Sequence, residues 1–168
     1  PSVLESAERH AILSAIERSM AKVEFDLEGK VLDANDNFLT VMGYTRNEVL
    51  GRHHRTFCDP AHAASAEYER FWTRLRHGEY FSGRFQRVAR NGRKVWLEAS
   101  YNPVLDPEGR PYKFIKFASD ISARMEALEQ EVANAAEALT IARENARLSD
   151  CGTSVIVRAT EQMRAIAS

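Results

Sequence analysis

The sequence predicts an α+β fold, with five β-strands in the middle of the chain and a helix at each end. The first supporting observation is a change of hydrophobic period, from helical spacing before residue 20 to alternation after it. The second is a pair of hairpin signals after residue 80, because Asn-Gly and Asp-Pro-Glu-Gly sequences favour tight reversals. The third is a change of composition near residue 121, beyond which no Pro and no aromatic residue occurs.

Composition excludes several classes of function. The chain has 168 residues, of which 44% are hydrophobic and 28% charged, which is typical of one globular domain with an extension. The net charge of −1, without a dense Lys/Arg stripe, argues against a nucleic-acid partner. No apolar run is long enough for a membrane span, and no secretion signal is visible. Cys58 and Cys151 are predicted to be reduced thiols, so we expect a cytoplasmic protein.

The N-terminal segment, residues 1–20, is predicted to form an amphipathic helix. Its apolar residues stand at helical spacing, and Ser2 and Glu5 form a capping box. The pattern then alternates over residues 21–26, which predicts a strand, and a short turn leads into a return strand that starts at Val31. We therefore expect a β-hairpin directly after the first helix.

The middle of the chain is predicted to contain three helices followed by three strands. The helices are expected over residues 35–42, from Thr45 to Gly51, and over 64–76. The strands are expected over residues 80–89, 94–105 and 112–119. The order of these elements, with the preceding hairpin, is β-β-α-α-α-β-β-β.

The C-terminal part, residues 122–168, is predicted to be helical and to pair with a second helix. Eight apolar positions step along the chain by 4-3-4-3-4-3-4, the spacing of a coiled-coil seam: Ile121, Met125, Leu128, Val132, Ala135, Leu139, Ala142 and Ala146. A small domain cannot cover so long an apolar stripe. The simplest partner for the stripe is the same helix of a second copy, in a dimer. Gly152 is expected to interrupt the helix, which resumes at Thr153.

Motifs spread over residues 20–121 carry a resemblance to a known family. They include Asp33-Ala34-Asn35-Asp36-Asn37-Phe38, Met42-Gly43-Tyr44, Arg90-Asn91-Gly92, Val95-Trp96-Leu97, Asn102-Pro103-Val104 and Ala118-Ser119-Asp120-Ile121. Together they resemble the PAS sensor domain, and most closely that of bacterial methyl-accepting chemotaxis proteins, including the aerotaxis-receptor type. The segments 142–147 and 163–166 resemble the start of a chemoreceptor signalling helix.

The resemblance implies a PAS fold, in which an antiparallel five-stranded sheet carries helices on one face. The domains are then an N-terminal helix (1–20), a PAS sensor (21–121) and a coiled-coil linker (122–168). It further implies a dimeric sensory module that detects a small ligand, a gas or a redox state and transmits through its exit helix. The partners would be its own copy and, through a downstream tip, a chemotaxis kinase and coupling protein. The alternative is a ligand-free PAS domain that serves only for dimerisation or partner docking.

Haem b, flavin and no cofactor at all remain open from the sequence. Light-sensing flavin PAS domains carry a reactive Cys where this sequence has His54, and the Arg, His and Trp of flavin-bound aerotaxis receptors are missing. Flavin is therefore less favoured. For haem, His62 is the first choice of iron ligand, with His53 and His54 as reserves. Trp96 and Phe117 on the last strands are the candidates for lining the pocket, and the competing interpretation is that all three histidines are surface residues.

No enzymatic motif is present, so we do not expect an enzyme. The sequence lacks a Gly-rich phosphate loop, a Cys-x-x-Cys pair and a His-Glu-x-x-His pattern. Residues 121–168 contain no His, which argues against a histidine-kinase output. The junction of Asp120 and Ile121 is the candidate for signal transfer, because the resemblance places the start of the exit helix there. An Asp before a helix also caps free N–H groups, and Asp120 could be a cap alone.

Overall fold

The computed structural model describes residues 2–166, and it confirms the expected α+β architecture. The helices are α1 (Val3–Ser19), α2 (Asp36–Met42), α3 (Arg46–Val49), α4 (Pro60–Ala63), α5 (Ala66–Arg76) and α6 (Ser122–Ile166). The strands are β1 (Ala21–Phe25), β2 (Val31–Ala34), β3 (Phe81–Val88), β4 (Lys94–Leu105) and β5 (Pro111–Asp120). Pro1, Ala167 and Ser168, at the outer ends of the predicted segments 1–20 and 122–168, lie outside the described residues.

The five strands form one antiparallel sheet in the order β2-β1-β5-β4-β3. The hairpin turns predicted from the sequence join neighbouring strands, whereas the central pair of β1 and β5 brings together the first and the last strand. In the β4–β5 pair, Leu97 lies opposite Asp120. The end of β5, where α6 begins, therefore lies beside the first residues of β4.

The core lies between one face of the sheet and helices α2–α5. Burial alternates along the strands: odd-numbered residues from Val95 to Tyr101 are buried in β4, and even-numbered residues from Phe114 to Ala118 are buried in β5. α2 packs against β1, and α5 packs against β4. The largest buried apolar side chains include Phe25, Phe38, Met42, Phe57, Trp72, Leu75, Leu97 and Phe114.

Asn35 ties α1, the first hairpin and α2 together. Its Oδ1 accepts hydrogen bonds from the backbone N–H groups of Lys22, at 2.9 Å, and Phe38, at 3.0 Å. Its Nδ2 donates to the carbonyls of Glu17 and Met20. All these bonds are internal, so the side chain caps α2 and fixes the end of α1.

The segment between Gly51 and α5 differs from the prediction, which had no element there. A 3₁₀ turn spans His54–Phe57, and the single-turn α4 follows it. α5 begins two residues later than expected, because the Ser65 hydroxyl accepts a hydrogen bond from the N–H of Tyr68 and caps the helix at that point. Elements this short show no hydrophobic period, so the pattern could not predict them.

α6 is continuous from Ser122 to Ile166, and the expectation that Gly152 interrupts it was wrong. A glycine inside a helix costs about 1 kcal/mol relative to alanine, which a long helix tolerates. Clustering of contacts divides the chain into two compact units, Pro1–Ala123 and Arg124–Ser168. Within residues 2–166, no helix is both long and apolar enough to cross a membrane.

Candidate ligand-binding site

A buried histidine lies at the centre of the domain. His54, on the 3₁₀ turn, is only 1% exposed. Its Nδ1 lies 3.0 Å from the hydroxyl oxygen of Tyr68, and its Nε2 lies 3.0 Å from the hydroxyl oxygen of Tyr101. The Sγ of Cys58 lies 3.5 Å from the same Nδ1. Because α5 supplies Tyr68 and β4 supplies Tyr101, the imidazole links the helices to the sheet.

Two buried cations flank Tyr101. Arg87 of β3 donates from Nη2 to the Tyr101 hydroxyl at 3.0 Å and from Nη1 to the carbonyl of Gln86 at 2.7 Å. The Nζ of Lys116 of β5 lies 4.8 Å from the centroid of the Tyr101 ring. Arg87 is 4% exposed and Lys116 is 2% exposed. We call His54, Tyr68, Tyr101, Arg87 and Lys116 the buried polar cluster.

Burial and the two cations set the protonation states in this cluster. Burial lowers the pKa of His54 well below its ordinary value, and Arg87 and Lys116 act in the same direction, so the imidazole is neutral at pH 7. Burial alone would raise the pKa of Tyr101, but Arg87 and Lys116 lower it overall. Burial raises the pKa of Tyr68. A neutral imidazole has one donor and one acceptor nitrogen, so it can bond to both hydroxyls.

A cleft of 460 Å³ opens beside the cluster, between the α4–α5 segment and strand β3 at the edge of the sheet. Tyr68 and Arg87 belong both to the cluster and to the wall of this β3-edge cleft. The other lining residues are Asp59, His62, Glu67, Phe71, Arg84, Phe85, Gln86 and Trp96. The volume lies in the range of small-molecule sites. A molecule in the cleft would therefore touch the buried cluster.

The three histidines considered as haem ligands have different surroundings. His62 is exposed on α4 and lines the cleft, with its ring centroid 5.7 Å from that of Tyr68. His53 is half-buried, and its Nδ1 accepts a hydrogen bond from the N–H of Arg55 at 3.1 Å. Both nitrogens of His54 already face tyrosine hydroxyls, and the interpretation of all three as surface residues is wrong for His54. His62 thus has the most accessible imidazole of the three.

The two aromatic residues expected to line one pocket line two different depressions on the protein. Trp96 lines the β3-edge cleft together with His62, whereas Phe117 lines a different, shallower depression. In β5 the neighbours Lys116 and Ala118 are buried and Phe117 is half-buried. Because successive strand residues point to opposite faces, Phe117 and Trp96 both lie on the face away from the core. Trp96 reaches the cleft because β4 is next to the edge strand β3, whereas β5 is one strand further from that edge. The expectation that Phe117 lines this cleft is therefore corrected.

The start of α6 is attached to β4 at Trp96. The N–H of Trp96 donates to the Ser122 hydroxyl at 3.0 Å, and its carbonyl accepts from the N–H of Ile121 at 2.9 Å. The Oδ1 of Asp120 accepts from the N–H of Ser122 at 2.9 Å, as a helix cap does. Trp96 therefore contributes its side chain to the cleft and its backbone to the junction with the exit helix.

Sequence reasoning did not find four of the five members of the buried polar cluster: Tyr68, Arg87, Tyr101 and Lys116. One signal was available. Lys116 stands in phase with the apolar Phe114 and Ala118 in an alternating strand, and a lysine in the buried phase of a strand is unusual. The partners come from other strands and from α5, so their proximity depends on the pairing of the sheet.

The comparisons with known proteins agree with this architecture. The family of the PAS fold matches residues 31–118, more than half of the chain. The chain belongs to the PAS family. This PAS chain is 48% identical over 166 residues to the biofilm dispersion protein BdlA of Pseudomonas aeruginosa, covering 99% of the chain and 40% of that protein. It is also 32% identical over 108 residues to the aerotaxis receptor of Escherichia coli, covering 64% of the chain and 20% of the receptor.

The PAS chain spans less than half of the length of these relatives. Among solved structures, that of an RNA-binding light-oxygen-voltage receptor superposes with a TM-score of 0.63 at 24% identity, covering 79% of this chain and 40% of that one. A likeness at this level of identity shows the fold alone. The chain is thus a PAS domain similar to a part of the aerotaxis receptor.

The packing of the PAS interior does not suit a flavin. The centroid of the His54 ring lies 5.3 Å from those of Phe25 and Trp72 and 5.7 Å from that of Tyr101. These rings contact one another, so a flat three-ring group has no slot between them. At the β3-edge cleft, no described residue hydrogen-bonds to the ring of His62, and Phe71 and Phe85 provide apolar walls, so this cleft offers an imidazole to a haem.

Proposed function

We propose that this PAS domain is the cytoplasmic sensory module of a chemotaxis-receptor-like protein. It senses a small ligand, a gas or a redox state in the β3-edge cleft and passes the change to α6 in a dimer. It is not an enzyme; its partners are its own copy and, through a segment beyond this chain, a chemotaxis kinase and coupling protein. The likeness to the aerotaxis receptor supports the proposal, and Trp96 carries it, because this residue belongs both to the cleft and to the α6 junction.

Transmission would use the backbone of Trp96. A ligand that shifts this side chain also shifts the N–H and carbonyl that hold Ser122 and Ile121. β5 ends next to this point, so the same movement changes the position from which α6 starts. A helix pair with two alternative packings can convert such a small shift into a two-state output.

If the domain carries a cofactor, haem b is the first candidate, and side chains of the cleft would hold it. His62 would hold the haem iron through its imidazole. Haem, when bound, supplies reversible binding of a diatomic gas or a change of redox state. Phe71 and Phe85 would exclude water from the ring, while Arg84 and Arg87 would balance acidic substituents.

The absorption spectrum of the purified protein tests this cofactor assignment. We expect a Soret band that is lost in His62→Ala, while the fold measured by circular dichroism is retained. His77→Ala, a change of an exposed histidine outside the cleft, is the matched control and should keep the band. A Soret band of unchanged position in His62→Ala would exclude His62 as the ligand.

A second candidate function is a ligand-free module for dimerisation or partner docking. The filled interior favours it, because the aromatic rings around His54 occupy the space between sheet and helices. This function predicts neither a Soret nor a flavin band, and no small molecule released from the denatured protein in mass spectrometry. A released ligand would contradict it.

A further inference from the structure

Two cations of the buried polar cluster have no carboxylate partner. Among residues 2–166, no Asp or Glu forms an ion pair with Arg87 or Lys116. Lys22, another buried lysine, shows the contrast, because its Nζ lies near three carboxylates: Glu17 at 2.6 Å, Glu24 at 3.4 Å and Asp33 at 3.5 Å. The domain therefore neutralises Lys22 with its own side chains and leaves Arg87 and Lys116 without such partners.

The other groups of the cluster cannot neutralise both charges. His54 and Tyr68 are neutral at pH 7, and burial raises the pKa of the Cys58 thiol. Tyr101, if ionised, supplies one negative charge against two positive ones. An uncompensated charge in a low-dielectric interior is destabilising. Burial and the charge of Arg87 lower the pKa of the Lys116 amine, whereas Arg87 keeps its charge. Within residues 2–166, the cluster therefore has no carboxylate that neutralises the Arg87 guanidinium.

Arg87 also has a hydrogen-bond donor left over. Its two terminal nitrogens donate to Tyr101 and to a backbone carbonyl, but its buried Nε has no partner. Buried donors are almost always paired in proteins. Because Arg87 lines the β3-edge cleft, a molecule in the cleft can reach its side chain. The planar guanidinium suits a carboxylate, which accepts two parallel hydrogen bonds.

We infer that the β3-edge cleft binds a small monocarboxylate through Arg87, and that Lys116, buried behind the cleft against the Tyr101 ring, adds positive charge to this region. The inference rests on the proposed function, since it names the chemical class of ligand for the same cleft in a domain that carries no haem there. Phe71 and Phe85 suit an apolar body next to the carboxylate. Two carboxylates in the cleft lining, those of Asp59 and Glu67, repel a multiply charged anion such as phosphate, so a single negative charge is favoured.

Matched acids and amides test the charge requirement. Acetate, pyruvate and benzoate would each be titrated into the full chain by calorimetry, beside acetamide, pyruvamide, benzamide and inorganic phosphate. We expect at least one carboxylate to bind, and to bind roughly 100-fold more tightly than its amide, because the loss of one partner from a buried charge pair has a large effect. No binding by any of the three carboxylates would overturn the inference.

Substitutions of the cations give a second, ligand-independent measurement. Arg87→Met should abolish carboxylate binding, whereas Arg70→Met, at an exposed position of α5, should not. Without ligand, Arg87→Met and Lys116→Met should have melting temperatures equal to or above that of the parent protein, because each removes a buried unpaired charge. A large loss of melting temperature in both variants would show that the cations are already compensated, which overturns the inference.

The two proposals fail in different ways. Equal binding of an acid and its amide would refute the carboxylate class and leave a ligand-sensing cleft in place. Binding of neither would remove the carboxylate inference. The ligand-sensing function fails only if the protein also shows no visible absorption and releases no small molecule on denaturation.

Discussion

His54 is held between two tyrosine hydroxyls as a neutral imidazole, and this sets the response of the domain to acid. Its pKa in the folded domain lies well below 6.5, whereas the unfolded chain has the ordinary value. Below pH 6.5 the unfolded chain therefore binds a proton that the folded domain does not bind. Stability falls as the pH is lowered through this window, since the unfolded state gains the proton.

We expect the free energy of unfolding to decrease by up to about 1.4 kcal/mol for each pH unit between pH 6.5 and about pH 5. Urea unfolding at a series of pH values measures it. His54→Gln should flatten this dependence, and His77→Gln, at an exposed position, should not. Burial also lowers the pKa of His53, which adds a contribution of the same sign. A stability that is constant over this range would mean that His54 is not held neutral.

Acidic side chains contribute little to the pH dependence of the free energy of unfolding between pH 5 and 6.5. The pKa values of Asp33 and Glu48 are lowered from 3.8 and 4.5, because hydrogen bonds and nearby arginines favour their ionised forms over the opposing effect of burial. The stabilisation by ionised Asp33 and Glu48 is present above their ordinary pKa values of 3.8 and 4.5, and it is lost only as the pH falls below them. The window from pH 5 to 6.5 therefore belongs to the histidines.

The junction of β5 and α6 is the element that can connect the cleft to the exit helix. Three hydrogen bonds fix this junction. The N–H of Trp96 donates to the Ser122 hydroxyl, the N–H of Ile121 donates to the carbonyl of Trp96, and the N–H of Ser122 donates to Asp120. The junction belongs to the same compact unit as the sheet, since that unit extends to Ala123. A change at the junction should thus affect the start of α6 more than the core.

Asp120→Ala removes the cap and should cost about 1 kcal/mol, because the N–H of Ser122 loses its acceptor. Hydrogen exchange should become faster at residues 121–123 and remain unchanged in β1 and β4. In a full-length receptor, we expect the variant to bind its ligand and to hold the output in one state. Glu126→Ala, on the exposed surface of α6, is the control. A normal response over the full stimulus range would leave Asp120 as a cap alone.

At the scale of the whole molecule, α6 presents apolar residues that nothing in its own unit covers. Leu128 and Leu139, two positions of the predicted seam, are 43% and 53% exposed, and Val132 between them is 68% exposed. Exposed leucines at heptad spacing over several turns are typical of a helix that pairs with another helix. The seam supports a dimer formed by two copies of α6.

Leu128→Glu combined with Leu139→Glu should convert the dimer into a monomer, because it places charges in the seam. Light scattering of the full chain measures the mass. Gln130→Glu combined with Thr140→Glu adds two negative charges at positions outside the 4-3 seam, and this control should remain dimeric. An unchanged dimer in the seam variant would refute the coiled coil and leave contacts of the sheet or of α1.

The sequence by itself determined the five strands and the longer helices and their order, because their signals are local, but it gave no sign of the 3₁₀ turn or of α4. Ser2 and Glu5 form the expected capping box, Gly43 ends α2 in the left-handed conformation, and the Asn91-Gly92 turn joins β3 to β4. Only the tertiary structure decided the site. His54 lies on a turn without periodic pattern, and Arg87 and Lys116 lie on different strands, so the pairing of β3, β4 and β5 brings them to Tyr101. Local sequence specifies which residues alternate in a strand. Contacts between distant segments decide which face of the strand becomes buried and which side chains come together on that face.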